Sequence, residues 1–339
     1  MMGSEIRQDK ITKQWIIYAP ARGHRPRDFS RQGQDKDEHS AHDDSCPFCP
    51  GNEDQLSSII METKNSSEDS WQIRVVPNKF PALSPTGSKH RFNRGIYVAM
   101  EGYGHHEVII EGPSHNKDIS QMDAGEVFNI IDIYHARSME LMAEHENMLV
   151  VIFRNHGSRA GTSLAHPHSQ LVVTAIVPRQ IRRREEEAQR HFDQWGKCVY
   201  CEVLDYEKQA RRRVVLENGS FLAFVPFAAV VPFEVWIMPK RHQADFGSIS
   251  GREKQDLAAA LVEILGKLRT KLNDPDYNFV INSSAQYKTD EPQLHWYLQI
   301  RPRLTTQAGF EIGSGMSINP SLPEEDADFL NDSDTIENG

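Results

Sequence analysis

HEVIIEGPSH (residues 106–115) has a counterpart further along the chain, FEVWIMPKRH (residues 233–242). Each is an apolar run that leads through a turn to a histidine. Working outward, each is preceded by a C-x-x-C pair, Cys46/Cys49 in one case and Cys198/Cys201 in the other. Each is followed by a second histidine: 51 residues separate His115 from His166, and 53 separate His242 from His295. Between the histidines lies one helical pattern, over residues 120–146 and again over 250–273. Both begin near a serine suited to capping and carry apolar residues at helical spacing: Val127, Ile130, Ile131 and Tyr134, then Leu257, Leu261, Ile264, Leu265 and Leu268. After each helix comes a strand pattern ending in asparagine, LVVIFRN to Asn155 and YNFVIN to Asn282. A unit repeated with this order predicts an α+β fold, in which each half is an antiparallel sheet with one crossing helix.

The chain has 339 residues, enough for about two domains. The repeat divides it into a first half, 1–178, a second half, 191–320, and a tail, 321–339. With 38% hydrophobic and 25% charged residues, a large core is possible and global disorder is excluded. The net charge of −10 argues against a nucleic-acid partner. Seven acids and no Lys or Arg lie between Glu324 and Asn338, so the tail is expected to be solvated. The opening MMGSEIRQDK holds no apolar run and predicts no signal peptide. The most apolar stretch, FLAFVPFAAVVPFEVWIMP (221–239), is interrupted by Pro226, Pro232 and Glu234. It predicts two or three buried strands, not a membrane helix, and hence a cytoplasmic protein with no membrane partner. Residues 29–45 predict an exposed loop, and RQIRRREEEAQR (179–190) a solvated helix linking the halves.

The four cysteines of a reducing compartment call for metal or redox chemistry. A C-x-x-C turn presents two sulfurs to one ion, and distant imidazoles complete a tetrahedral zinc set. The repeat nominates Cys46, Cys49, His115 and His166 for one site, and Cys198, Cys201, His242 and His295 for a second, structural one. Competing readings are a single all-cysteine site, a redox pair, and core cysteines beside hydrogen-bonded histidines. Against the first stand the 149 residues between Cys49 and Cys198.

FRNHGSRAGTSLAHPHSQL (153–171) carries the remaining chemistry. Side chains alternate along a strand, so His166, His168 and Gln170 face one way. Gly157, Ser158, Gly161, Thr162 and Ser163 expose backbone N–H groups suited to phosphate oxygens. An imidazole beside such a loop can attack phosphorus, and Gln170 can donate to the phosphoryl oxygens. The alternative is that His168 is a packed histidine. A serine-hydrolase elbow is excluded because Gly161-Thr162-Ser163-Leu164-Ala165 lacks the second glycine. Aligning His166 with His295 puts Tyr297 opposite His168, so the second half keeps the metal frame without the nucleophile.

These motifs resemble the histidine-triad superfamily, specifically its galactose-1-phosphate uridylyltransferase branch. The resemblance runs from QDKITKQWIIYAPARGHRPRDF (8–29) through CPFCPGNE (46–53), RVVPNKFPAL (74–83), PSH (113–115) and HPHSQ (166–170) to GFEIGSG (309–315). It implies a duplicated histidine-triad fold, a homodimer, and uridylylation of His168 beside a metal held by His166, Cys46, Cys49 and His115. It further implies that Arg22 and Arg25 approach the phosphates and sugar, that Asn78 serves the nucleoside, and that Asn155, Gly161, Ser163 and Gln170 serve the phosphates. The strip containing Phe310 corresponds to the hexose-binding segment. The chain has Ser169 where the family has a glycine, and Ser314 and Gly315 where it has tyrosine and glutamate. Both departures also resemble the ADP-glucose phosphorylase-like relatives of the family.

The expected activity is therefore transfer of a nucleotidyl group between a nucleotide sugar and a sugar-1-phosphate, with UDP-glucose as donor. The expected cofactor is Zn2+, two per chain, with iron as an alternative at the second site. The other readings are an ADP-glucose phosphorylase or dinucleotide hydrolase, and, from another class, a zinc-bound nucleotide sensor without catalysis.

Overall fold

A computed structural model describes residues 3–22, 29, 40–64, 70–144 and 148–332. Arg25 and most of the loop expected over 29–45 lie outside the described residues. Phe29, at the start of that loop, is buried against the ring of Phe233 at 5.9 Å, whereas residues 40–45 at its other end are largely exposed, as expected.

Ten strands make one antiparallel sheet. The first half supplies β3 (Met61–Lys64), β4 (Trp71–Pro77), β7 (Gly104–Ile110), β8 (Leu149–His156) and β9 (His168–Thr174). The second supplies β10 (Val214–Glu217), β11 (Phe221–Phe224), β12 (Val235–Pro239), β13 (Tyr277–Asn282) and β14 (Tyr297–Pro302). Their order is β10-β11-β12-β14-β13-β8-β9-β7-β4-β3. Each half has the same internal order, and the halves join edge to edge where β8 pairs β13, with Asn155 opposite Asn278. The expected fold is thus present, with one correction: the two sheets are continuous, so both halves share one core.

A smaller sheet holds β1 (Glu5–Gln8), β2 (Trp15–Tyr18) and β15 (Ser317–Asn319). A hairpin of β5 (Arg91–Arg94) and β6 (Tyr97–Met100) stands apart. The crossing helices are α1 (Ala124–Glu144) and α4 (Gly251–Leu272). They cover one face of the large sheet, packing Val127, Ile130, Leu261 and Leu265 onto Ile109, Leu171, Phe279 and Leu298. Ser250 caps α4 in a reciprocal box with Glu253, and Asn273 closes it in the left-handed conformation. The first helix starts later than expected. Ser120 lies in a short turn capped by Asp118, and Asp123 accepts from Gly125 N and Glu126 N to cap α1.

The other face of the sheet is covered differently in each half. Over the second half lie α2 (Arg179–Trp195) and α3 (Val199–Ala210), packing Ala188, Tyr200 and Leu204 against Leu222, Phe224 and Trp236. β11 and β12 are buried on both faces, which explains their continuously apolar sequence. The expected two or three strands are two. Among the described residues, no helix is long and apolar enough to cross a membrane. The helix expected as a solvated linker is partly buried. Arg184 of α2 donates to Asn282 Oδ1 at 2.7 Å and lies 5.7 Å from the Tyr297 ring centroid. Over the first half, the same face carries the Cys46–Cys49 turn with Phe48, Trp71, Val76, Val108 and Ile110.

The acidic tail also departs from expectation. α6 (Pro323–Asn331) packs Ala327 and Leu330 into the main core. Glu324 meets Arg7 at 3.0 Å and Arg213 at 2.6 Å, while Asp326 is fully buried and accepts from Phe233 N at 2.9 Å and from Ser321 Oγ. An acidic run hides this role because only the placement of Arg7 and Arg213 reveals the partners. Burial pushes the Asp326 carboxyl up to about 7 from 3.8, against the opposing bonds from Phe233 and Ser321. The folded chain therefore holds a proton that the unfolded chain releases above pH 4. The stability this contributes is complete below that pH and lost as pH rises toward 7. Asp326→Asn keeps the shape without the charge, so the fall in stability between pH 5 and pH 8 should be shallower than in the parent. Urea denaturation at both pH values measures it; an equal fall in both proteins would show that Asp326 is not the group responsible.

Candidate functional site

In the first half, Cys46 and Cys49 sit on a tight turn closed by Cys49 N donating to Cys46 O at 3.1 Å. His115 follows β7 and His166 precedes β9, and all four side chains are buried. Cys49 Sγ lies 3.4 Å from His115 Nδ1 and 3.5 Å from His166 Nδ1, while Cys46 Sγ lies 3.8 Å from His166 Nδ1. A tetrahedral ion with bonds of about 2.3 Å to sulfur and about 2.0 Å to nitrogen separates such donors by about 3.5 Å. The donor set therefore fits a metal. The back of His166 agrees: Nε2 donates to Gly112 O at 2.8 Å, which leaves the lone pair on Nδ1. Burial takes His166 down to about 4 and the Cys46 thiol up to about 11. Without a cation both groups stay neutral, and a cation offsets that cost by binding thiolate.

The second group repeats the arrangement nearer the surface. Cys198 immediately precedes α3, Cys201 lies in its first turn, and His242 and His295 follow β12 and precede β14. Cys201 Sγ is 3.3 Å from His242 Nδ1 and 3.5 Å from His295 Nδ1; His295 Nε2 donates to Pro239 O at 3.0 Å. The Cys201 thiol and both imidazoles stabilise the Cys198 thiolate, and the same pairing raises Cys201. All four donor atoms in each set lie within 4.8 Å of one another, so each Cys2His2 group can hold a metal.

His168 begins β9 on the face that carries the first metal turn, its ring 5.5 Å from that of Phe48. Nδ1 donates to the carbonyl of His166 at 2.8 Å, so Nε2 keeps the lone pair. Burial lowers the affinity of the ring for a second proton, partly offset by that hydrogen bond. A neutral, oriented imidazole results.

The loop between β8 and His166 turns on two glycines. Gly157 has φ +81 and Gly161 φ +91, and Asn155 precedes them on β8, held by Asn278 Nδ2 at 2.7 Å. Arg154 pairs with Ser169, so Asn155 lies one step further, beside His168. Ser163 and Gly161 are exposed in this loop. Gln170 lies on β9 two residues beyond His168, and its Oε1 is 2.7 Å from His106 Nε2. Asn78 follows β4, with Nδ2 3.2 Å from the same nitrogen. His106 Nδ1 accepts from Ala82 N at 3.1 Å, so Nε2 is the donor to Gln170 and the amide nitrogen of Gln170 is left to face away. The structure thus links Asn78 and Gln170 through His106 and sets Asn155 beside His168 at the start of β9.

His106 was not among the expected residues. Its signal was present in the opening residue of HEVIIEGPSH, where only the terminal histidine had a counterpart to draw attention. Arg22, Arg25 and Phe310 complete the expected set. Arg22 ends a short turn, Pro20–Arg22, and its side chain, like Arg25, lies outside the described residues. Phe310 lies half-exposed on the short helix α5 (Gly309–Ser314). Ser314 Oγ donates to Phe310 O, and Gly315 O accepts from Gln14 Nε2, so the segment is tied to the small sheet.

Comparison with known proteins identifies the family. Residues 1–178 match the N-terminal domain of galactose-1-phosphate uridyl transferase, and residues 183–311 its C-terminal domain. The chain belongs to the galactose-1-phosphate uridyl transferase family. It is a nucleotidyltransferase of that family. It is similar to the ADP-glucose phosphorylase of Arabidopsis thaliana, 35% identical over 96% of this chain and 92% of the relative. It is also similar to the galactose-1-phosphate uridylyltransferase of Thermotoga maritima, 26% identical over 97% of this chain and 98% of the relative. The crystal structure of the Arabidopsis enzyme with bound ADP-glucose superimposes with a TM-score of 0.83, at 33% identity over 98% of this chain and 99% of that one. A uridylyltransferase structure gives 0.74, at 26% identity over 96% of this chain and 97% of that one.

The glycine loop gives a direct prediction. A Cβ at Gly157 would lie 2.0 Å from Asp276 Oδ1, and its φ of +81 disfavours any side chain. Gly157→Ala must displace the loop or Asp276, whose Oδ2 accepts from Arg159 N at 2.6 Å. It should weaken nucleotide-sugar binding at least tenfold in titration calorimetry with the metal content unchanged. Parental affinity would show that this loop does not contact the phosphates.

Proposed function

We propose that this chain transfers a nucleotidyl group from a nucleotide sugar by way of His168, with ADP-glucose as donor and inorganic phosphate as acceptor. The observation that carries the reading is the ring of His168. Its Nε2 lone pair is free, its Nδ1–H is anchored at 2.8 Å on His166 O, and it adjoins a glycine-turned loop of backbone donors. Nε2 attacks the α-phosphorus of the donor, the P–N bond forms as the bond to the glucose-1-phosphate oxygen breaks, and glucose-1-phosphate leaves. A phosphate oxygen then attacks the same phosphorus and releases the histidine with a nucleoside diphosphate. A neutral imidazole is a good nucleophile at neutral pH and a good leaving group once phosphorylated. Gln170, oriented by His106, and the N–H groups near Gly161 and Ser163 stabilise the charge on the transferring group. Asn155 holds the loop side of the phosphate and Asn78 the nucleoside side. Arg22 and Arg25 offset phosphate charge.

Support for adenylyl over uridylyl transfer is the higher identity to the ADP-glucose phosphorylase, 35% against 26%, together with Ser169, Ser314 and Gly315. The uridylyltransferase relatives favour a second reading, UDP-glucose with galactose-1-phosphate as acceptor. A site without the tyrosine–glutamate pair leaves fewer polar groups to reject the wrong hexose. Exposed Phe310 and Ile312 on α5 support a homodimer, and a cytoplasmic location belongs to the same reading. The two Cys2His2 groups hold zinc, iron being the alternative at the second. A metal bound there fixes the turns that carry Phe48 and His166 and so the place of His168.

Initial rates decide between the two donors. ADP-glucose with phosphate should exceed UDP-glucose with galactose-1-phosphate by more than tenfold, about 1.4 kcal/mol in the barrier. The reverse order would give the second reading. In either case His168→Asn should abolish exchange of labelled glucose-1-phosphate into nucleotide sugar while leaving the fold intact. Exchange that persists in His168→Asn, or that requires an acceptor in the parent, would rule out the covalent route.

The metal assignment has its own test. Elemental analysis should return two ions per chain. Structural zinc contributes about 10–16 kcal/mol to the fold that holds it. Cys198→Ser should lower the melting temperature while transfer per folded molecule stays near parental, whereas Cys46→Ser should lose both an ion and transfer. One ion or none in the parent would contradict the assignment.

A further inference from the structure

On the face of the sheet turned away from His168 lies a buried charge cluster. Arg154, Glu111 and Ser169 are at most 3% exposed. Arg154 Nε lies 3.0 Å from both oxygens of Glu111, Nη1 lies 2.8 Å from Tyr277 Oη, and Nη2 binds Asp118. Ser169 Oγ donates to Glu111 Oε1, which Tyr134 Oη also approaches at 3.2 Å.

The second half shows that the sheet does not need these charges. Arg154 pairs with Ser169 across β8 and β9, and at the equivalent step across β13 and β14 Ile281 pairs with Leu298. Both are buried apolar residues in the shared core. Burying ions costs several kcal/mol each before pairing, and well-packed apolar residues commonly serve stability as well or better. Stability therefore does not account for the cluster. What separates the halves at this point is the preceding residue of the strand, His168 before Ser169 in one and Tyr297 before Leu298 in the other.

Glu111 reaches the nucleophile segment from several directions. Its backbone N–H donates to Pro167 O at 3.2 Å, its carboxylate accepts from Ser169 Oγ, and the carbonyl of the adjoining Gly112 accepts from His166 Nε2 at 2.8 Å. Residues on both sides of His168 are thereby tied to one anchor, which Arg154 holds in place. We infer that Glu111, braced by Arg154, is a positioning residue that acts through Ser169 on the direction of His168 Nε2. The inference rests on His168 as the nucleophile. It assigns Ser169, the departure from the family's glycine, a mechanical role behind the strand and no contact with substrate.

The test uses the full-length, metal-loaded protein and the variants Ser169→Ala and Glu111→Gln, the latter keeping shape and an acceptor oxygen. Each is mixed with saturating ADP-glucose, or UDP-glucose if that is the labelling donor, without acceptor. Formation of the nucleotide adduct is followed by intact mass. The rate in Ser169→Ala should fall roughly tenfold to a hundredfold, as a misaimed reacting group predicts. Glu111→Gln should fall less, with KM for the donor and metal content within twofold of the parent in both. A merely structural role would instead lower melting temperature and metal content together with the rate. Parental labelling by Ser169→Ala, or slowing matched by loss of metal, overturns the inference alone. Should Ser169→Ala not fold, a parental rate in Glu111→Gln does the same. A parent that forms no adduct overturns the His168 reading and this inference with it.

Discussion

A neutral imidazole has one N–H, and the carbonyl that accepts it decides which ring nitrogen keeps a lone pair. Two such carbonyls organise the first half. Gly112 O takes the proton of His166 Nε2 and turns Nδ1 toward the cysteines; His166 O takes the proton of His168 Nδ1 and frees Nε2. The first Cys2His2 group and His168 are therefore joined through one peptide segment, His166-Pro167-His168. Anything that shifts the Cys46–Cys49 turn shifts the carbonyl that orients the His168 ring. The Phe48 ring, 6.0 Å from His166 and 5.5 Å from His168, packs between the two functions.

The second half preserves the frame and alters the chemistry. His295 Nε2 is anchored on Pro239 O as His166 is on Gly112 O, and Gln299 sits at the register of Gln170. Gln299 meets Glu234 where Gln170 meets His106. The position of His168, however, holds Tyr297, and Arg184 from α2 lies over that ring and bonds Asn282. A guanidinium and a phenol thus stand in the second half at the place that His168 marks in the first. The linker helix is thus part of the second half's surface, which is why a charge pattern alone did not place it.

Much of this was legible in the sequence because the repeat is anchored by rare residues. Cysteine pairs and histidines at matched spacing stand out where strand patterns blur, so the fold class and the two Cys2His2 groups were within reach. What stayed hidden depends on partners distant in sequence. Arg154 and Glu111 look like ordinary strand charges until β7, β8 and α1 bring Asp118, Tyr134 and Ser169 around them. Asp326 looks like tail charge until it accepts from Phe233. Ser120 reads as the cap from sequence, and only the start of α1 at Ala124 shows that Asp123 has that place. The continuity of the two sheets follows from the β8–β13 register, which no local pattern encodes.

The most direct measurement of the carbonyl-set tautomers is a long-range 1H–15N correlation spectrum of the metal-loaded protein with ring-labelled histidine, near neutral pH. His168 should show a protonated Nδ1 and an unprotonated Nε2, and His166 the opposite pattern, with its Nδ1 shifted by the metal. A His168 ring protonated at Nε2, or a His166 ring bound through Nε2, would contradict the account.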